Sequence, residues 1–280
     1  MSELLYGTSS WTAKGWVGPF YPEGTQPAEF LPHYARHFRA VEADTTYYGV
    51  PKPTTVENWA KRTPDGFRMC AKFPRAIVHG GEGPRPDPRV VLEPEHVAAE
   101  TKEFLAVMGL LGDKCGPLVL QFPYFNRDVF DGPGEFLARL DHFLGMLPSR
   151  FRYAVELRNR AWIKPPLLRV LRRRRTALVL VEIGYMPHPA ELWAQHDLIT
   201  TDFAYARLIG DRKAVDARTK TFDRIVVDQA ASLQRWADVM REVLARVPVT
   251  YAFANNHFAG HGPQTIRDLA ALLVENIGED

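Results

Sequence analysis

The stretch Tyr153-Ala154-Val155-Glu156-Leu157-Arg158-Asn159 sets a carboxylate and a guanidinium two residues apart. Glu156 and Arg158 alternate with apolar Val155 and Leu157, the period of a β-strand, so both charges share one face. Such a pair can bind and activate a polar substrate, or it can neutralise itself as a buried ion pair. Other strand-like segments close on comparable groups: Thr8 and Ser9, Glu42 and Asp44, Lys72, Gln121, Glu182, Arg207, and Asn255 with His257. Gathered on one rim, these suit acid–base chemistry on a small anionic or polyhydroxylated substrate. Arg158 and Arg207 would hold a carboxylate or phosphate in their planar forks. Glu156 or Glu42 would act as base and Lys72 or His257 as acid. Thr8, His79, Gln121, Glu182, Asn255 and Asn256 offer further substrate hydrogen bonds, while Trp11, Tyr48 and Trp162 are rings that could stack on a sugar or a base.

Other chemistries compete for the same residues. Glu42, Glu156, Glu182 and His257 are ligands a divalent cation would use, but Lys72, Arg158 and Arg207 would repel one. No pair of histidines is read as having ligand spacing, so the site is read without metal or other cofactor. Two carboxylates could flank a glycosidic bond, which depends on a separation that sequence does not contain. A serine nucleophile is disfavoured, since no Gly-x-Ser-x-Gly elbow occurs. The aromatics, with Arg75, Arg85 and Arg89, leave open a non-catalytic barrel that binds a ligand or nucleic acid.

Bulk properties constrain rather than decide. A net charge of +2 over 280 residues supplies no global attraction to nucleic acid or to a membrane. Cys70 and Cys115 form no disulfide framework, and no apolar run approaches a membrane span, so a soluble cytoplasmic protein is expected.

The elements that must position these groups follow one another regularly. Strands are read at about 4–9, 40–48, 67–73, 118–122, 153–159, 177–183, 203–209 and 250–256. Helices are read between them at about 27–38, 54–62, 95–111, 134–147, 165–173, 231–246 and 263–276, with a Thr54/Glu57 capping box opening the second. The stretch from 184 to 201 shows little helical pattern. Eight strands alternating with helices in a chain of this length argue for a single α/β domain over 1–280, a (β/α)8 TIM-like barrel. Ligands then gather at the carboxyl ends of the strands. No glycine-rich nucleotide loop follows the first strand, which disfavours an open doubly wound sheet.

Gly-Thr-Ser-Ser-Trp (7–11), Trp-Val-Gly-Pro-Phe-Tyr-Pro (16–22), Val-Glu-Ala-Asp-Thr-Thr-Tyr-Tyr (41–48), Ala-Lys-Phe-Pro-Arg (71–75) with His79, Leu-Gln-Phe-Pro (120–123), Val-Glu-Leu-Arg (155–158) with Trp162, and Asn-Asn-His-Phe-Ala-Gly-His (255–261) together resemble the YecE-like domain of unknown function. That resemblance implies a TIM barrel with a pocket at the strand ends, and no settled activity. Two positions depart from its pattern: Glu182 stands where an aspartate is expected, and Ile209 where a histidine would follow Arg207.

Two loops carry expectations of their own. The Gly- and Pro-rich segment 74–94 is read as a partly mobile lid. The eighth loop, with Gly260 and Gly262 before a helix start, is read as a phosphate site assisted by Arg207, or else as an asparagine-stabilised turn. The run Arg172–Arg175 is read as favourable charge at a helix carboxyl terminus, or else as a partner surface.

Overall fold

The computed structural model describes residues 2–81, 83 and 85–275. Its strands are β1 (Glu3–Thr8), β2 (Ala40–Ala43), β3 (Arg68–Lys72), β4 (Cys115–Gln121), β5 (Tyr153–Glu156), β6 (Ala177–Ile183), β7 (Phe203–Gly210) and β8 (Val249–Ala254). They form one eight-stranded sheet in the order β1-β8-β7-β6-β5-β4-β3-β2, and the ladders between β1 and β8, β7 and β8, β3 and β4, β4 and β5, and β5 and β6 are all parallel. The helices are α1 (Phe30–Tyr34), α2 (Pro53–Lys61), α3 (Pro94–Met108), α4 (Pro133–Met146), α5 (Pro165–Arg173), α6 (Pro189–Trp193), α7 (Arg212–Asp216), α8 (Ala230–Leu244), α9 (Asn256–Ala259) and α10 (Gly262–Glu275). Parallel strands need crossovers, and helices supply them, so this is the expected (β/α)8 class.

Local chemistry explains many of the boundaries. Proline occupies the first turn of α2, α3, α4, α5 and α6, where its missing N–H would have had no helical partner. Pro53 therefore starts α2, and the Thr54/Glu57 capping box is not used; Lys52 is the N-cap, without a side-chain cap bond. The second strand is shorter than expected, because residues 45–48 wind into a 3-10 turn. The helix expected over 27–38 is a 3-10 turn, Pro27–Glu29, followed by the short α1. The stretch after β6 contains α6, and two further short helices, α7 and α9, had no periodic signal.

The chain divides into two compact units, Met1–Glu42 with Leu180–Asp280, and Ala43–Val179. In the first, an aromatic core collects Trp16, Phe20, Tyr21, Phe30, Tyr34 and Phe38, with Tyr21 stacked on Phe30 at 4.4 Å. Gly7 is required there: a Cβ would lie 2.0 Å from the Ala40 carbonyl oxygen. In the second, Phe73 packs on Phe104 and Phe143, and Phe122, Phe125, Phe130 and Phe136 form a further cluster. Among the described residues no helix is long and apolar enough to cross a membrane.

Candidate functional site

In the second unit three neighbouring parallel strands end on polar groups: β3 on Lys72, β4 on Gln121 and β5 on Glu156. The β4–β5 register sets Gln121 opposite Glu156. Glu156 is wholly buried, and its Oε1 accepts from Arg158 Nε at 2.9 Å, while the Arg158 side chain retains 22% of its exposure. Buried carboxylates are tolerated only when paired, and this pair keeps one member in contact with solvent.

The 3-10 turn Thr45–Tyr48 is fixed to β3 by one side chain. The Thr46 hydroxyl donates to the Lys72 carbonyl at 2.8 Å, and the Lys72 N–H donates back to Thr46 Oγ1 at 2.9 Å. Tyr47 is thereby held half-buried in the field of Arg158 and Arg75. Burial raises its phenol pKa, and the two guanidinium groups pull partly the other way. Tyr48, the ring expected to bind substrate, is 84% exposed and meets Tyr47 edge-on at 5.6 Å. Tyr47 is thus a candidate that the site reading passed over. The motif Thr-Thr-Tyr-Tyr pointed to both rings, but successive residues of a 3-10 turn face different ways and carry no pattern that chooses between them.

The described residues of segment 74–94 include more regular structure than its composition suggests. It opens with a π-helical turn, Ala76–Gly80, in which Ile77, Val78 and His79 are buried. His79 is held toward its neutral form by burial and then by Arg75. Arg75 donates to the Gly83 carbonyl. At the far end Arg139 of α4 donates to the Pro88 and Val91 carbonyls and pairs with Glu93 at 2.9 Å.

Trp162 stacks on Phe125 at 6.2 Å and packs on Phe130 and Phe136. Asn159 supports that loop with two bonds to Phe125: its amide donates to the carbonyl at 2.7 Å, and its Oδ1 accepts from the N–H at 2.9 Å. The ring expected to stack on substrate is engaged in packing.

The first unit holds the other predicted residues. Glu42 and Arg207 form a closed pair, with Arg207 Nη2 2.8 Å from Glu42 Oε1 and only 2% and 0% of the two side chains exposed. Tyr205 completes it by donating to Glu42 Oε2 at 2.8 Å. Thr8 ends β1 and donates to the Ser10 carbonyl at 2.6 Å, with its N–H on the Tyr34 hydroxyl at 2.7 Å. Trp11 is buried, and its carbonyl accepts from Tyr21 Oη at 2.6 Å.

Glu182 is turned toward a helix, which corrects its place in the expected rim. It accepts from Ser232 Oγ at 2.8 Å and from Trp236 Nε1 at 2.5 Å, both on α8, with His188 Nε2 at 3.5 Å. Burial raises its pKa despite those two donors.

The eighth loop is closed by its own side chains. Asn256 Oδ1 accepts from Trp16 Nε1 at 3.1 Å and from the Gly262 N–H at 2.9 Å. His261 Nδ1 accepts from Gln264 N at 3.3 Å, and its carbonyl accepts from Thr265 N at 3.1 Å. The amino end of α10, expected to be offered to a phosphate, therefore has its donors engaged internally, which is the asparagine-stabilised alternative. Asn255 caps α9, its Oδ1 accepting the His257 N–H at 2.9 Å. Both ring nitrogens of His257 face acceptors: Nδ1 lies 2.9 Å from Asn255 Oδ1 and Nε2 3.3 Å from Asp216 Oδ1. A ring so engaged is poorly placed to pass a proton to substrate.

A histidine pair with ligand spacing is present after all. His33 and His37 stand four residues apart on and just beyond α1, and their Nε2 atoms approach to 3.1 Å.

The family described as "Protein of unknown function DUF72" matches residues 5–279. The chain belongs to this family. Its curated relatives include the UPF0759 protein YecE of Escherichia coli K12, 40% identical over 129 residues that make up 46% of this chain and 41% of that protein. The UPF0759 protein YunF of Bacillus subtilis strain 168 is 28% identical over 166 residues, 58% of this chain and 53% of its own. The chain thus spans about half the length of these curated relatives or less. A crystal structure of a DUF72 family protein from Thermotoga maritima, 24% identical, superposes with a TM-score of 0.68 over 99% of each chain. A D-psicose 3-epimerase aligns with a TM-score of 0.52 at 9% identity, over 99% of this chain and 92% of its own. These likenesses establish a TIM-barrel-like fold.

Proposed function

We propose that this DUF72 protein is an enzyme that applies acid–base chemistry to a small anionic or polyhydroxylated substrate, with Arg158 as the anion-binding group. The observation that carries this reading is the asymmetry of the Glu156–Arg158 pair: the carboxylate is wholly buried, and the guanidinium it orients keeps 22% exposure. An arginine oriented in this way loses little freedom when it takes up a carboxylate or phosphate. Tyr47, with its phenol kept protonated by burial, is the donor nearest in kind to a general acid. Lys72 and Gln121 end the adjacent strands, and His79 adds a neutral imidazole from the π turn. The sugar epimerase among the structural neighbours is consistent with a polyhydroxylated substrate, and that likeness is one of fold alone.

The test is a thermal-shift panel of inorganic phosphate, sugar phosphates and sugar acids, repeated with Arg158→Gln. Stabilisation by at least one compound in the wild type, lost in the variant, supports the reading; equal stabilisation of both removes it.

A second reading, a non-catalytic barrel binding single-stranded nucleic acid, is favoured by the exposed rings of Tyr48 and Tyr124, 84% and 60% exposed. Bases stack on such rings, and the attendant phosphate contacts make binding fall steeply with salt. Oligonucleotide binding that vanishes between low and moderate salt would favour it over the enzyme.

A further inference from the structure

We propose that His33 and His37 form a two-histidine site for a borderline divalent transition metal, with Cu²⁺ bound more tightly than Ni²⁺ or Zn²⁺. The two residues are separated by one helical turn, since Ala35 N–H donates to the Leu31 carbonyl and Phe38 N–H to the Tyr34 carbonyl, continuing the helical path beyond α1. Residues four apart on such a path lie on one face. Their Nε2 atoms converge to 3.1 Å. With metal–nitrogen bonds of about 2.0–2.1 Å, neighbouring ligands in tetragonal or tetrahedral coordination lie roughly 2.9–3.4 Å apart, so the pair already has the spacing of two adjacent ligands.

The rings are braced in that attitude. Phe20 meets His33 edge-on at 6.0 Å and His37 at a tilt at 5.3 Å, and Tyr21 meets His33 edge-on at 5.5 Å. As the pair stands, one Nε2 must carry a proton that the other accepts. Moving that proton to the donor ring's own Nδ1 frees both Nε2 lone pairs for a metal, each neutral ring then carrying its single proton on Nδ1. His33 is half-buried and His37 exposed, so the open coordination positions face water.

The surroundings set the strength. Burial, His33, Arg267 and Arg36 all favour the neutral form of His37, which keeps its lone pair available. The same two arginines oppose an incoming cation, and Arg267 is fixed nearby, over the rings of Phe20 and Phe38 at 5.3 and 5.4 Å. Among the described residues no group of three or more His, Cys, Asp or Glu side chains could hold a metal, so the site has two protein ligands and water for the rest. The Cu²⁺ preference follows the general order of stability for nitrogen ligands.

The test is calorimetric titration of the whole chain with CuSO4, NiCl2 and ZnCl2, followed by electron paramagnetic resonance of the Cu²⁺ form. We expect one saturable Cu²⁺ site whose affinity falls about tenfold or more, 1.4 kcal/mol per decade, in His33→Ala and in His37→Ala alike. Arg267→Gln should strengthen it, because a like charge is removed. The Cu²⁺ spectrum should show imidazole nitrogen coupling that is lost in the double variant His33→Ala/His37→Ala. Cu²⁺ binding that is equally tight in the double variant, or no saturable binding in the wild type, overturns the proposal.

Discussion

Arg158 Nε reaches back two residues to Glu156 Oε1 at 2.9 Å, joining a wholly buried carboxylate to a guanidinium that still touches solvent. The Glu42–Arg207 pair has a similar length, 2.8 Å, and almost no exposure in either member. Only the first pair is legible in sequence, since Glu42 and Arg207 stand 165 residues apart. The two pairs differ in what they can do, since a sealed guanidinium is committed to its carboxylate and a partly open one can receive an anion.

For the open pair, Arg158→Gln should remove stabilisation by a bound anion and should also lower stability in the absence of anion, since it leaves the wholly buried Glu156 without its counter-charge. At an anion concentration about 100 times the dissociation constant, the wild type gains roughly 2.7 kcal/mol, and the variant should gain almost none. Denaturant melts with and without the best compound of the panel measure both values.

For the sealed pair, Glu42→Gln or Arg207→Met should each cost about 3–5 kcal/mol, because either leaves its partner buried without its counter-charge. Tyr205→Phe should cost only about 1 kcal/mol, the ordinary worth of one hydrogen bond. Urea melts that gave Arg207→Met a loss under about 1 kcal/mol would contradict a structural role for the pair.

Asn256→Ala should destabilise by about 1–3 kcal/mol, since Trp16 Nε1 and the Gly262 N–H lose one shared acceptor. Sulfate should not restore the loss if α10 is closed by side chains as described. Rescue by sulfate, followed in a thermal melt, would instead reveal an anion position at that helix start.

Acid should destabilise the fold through two capping histidines. His188 Nδ1 accepts from the Ala190 N–H at 3.1 Å and His261 Nδ1 from Gln264 N at 3.3 Å, which requires neutral rings. Burial lowers both pKa values to about 4, against 6.5 as the ordinary value. Between pH 6.5 and 4 the unfolded chain therefore binds more protons than the folded one, and stability falls as pH falls. Each ring contributes up to about 3 kcal/mol over that window. The raised pKa of Glu182 acts in the opposite sense and offsets part of the loss. His188→Asn and His261→Asn, which keep an acceptor at the cap, should flatten the pH dependence of the urea midpoint.

The sequence by itself determined the order of the strands and the longer helices, because the alternation of strand and helix periods survives in the chain regardless of what each element packs against. It also placed Lys72, Gln121 and Glu156 at strand ends, since each follows an apolar run that must stop where the loop begins. Facing was a different matter. In β6 the first five residues are all buried, so its apolar run carries no alternation, and only contact with Ser232 and Trp236 decided that Glu182 belongs to α8. Tyr47 and Tyr48 are adjacent and chemically alike, yet a 3-10 turn fixed by Thr46 set one beside two guanidinium groups and the other in solvent. Asn256 reads in sequence as a substrate-binding group and His257 as an acid, and only the folded loop showed Trp16, Gly262 and Asp216 as their partners. Partners distant in sequence leave no local period, so tertiary structure alone decided which partner each of these polar side chains meets.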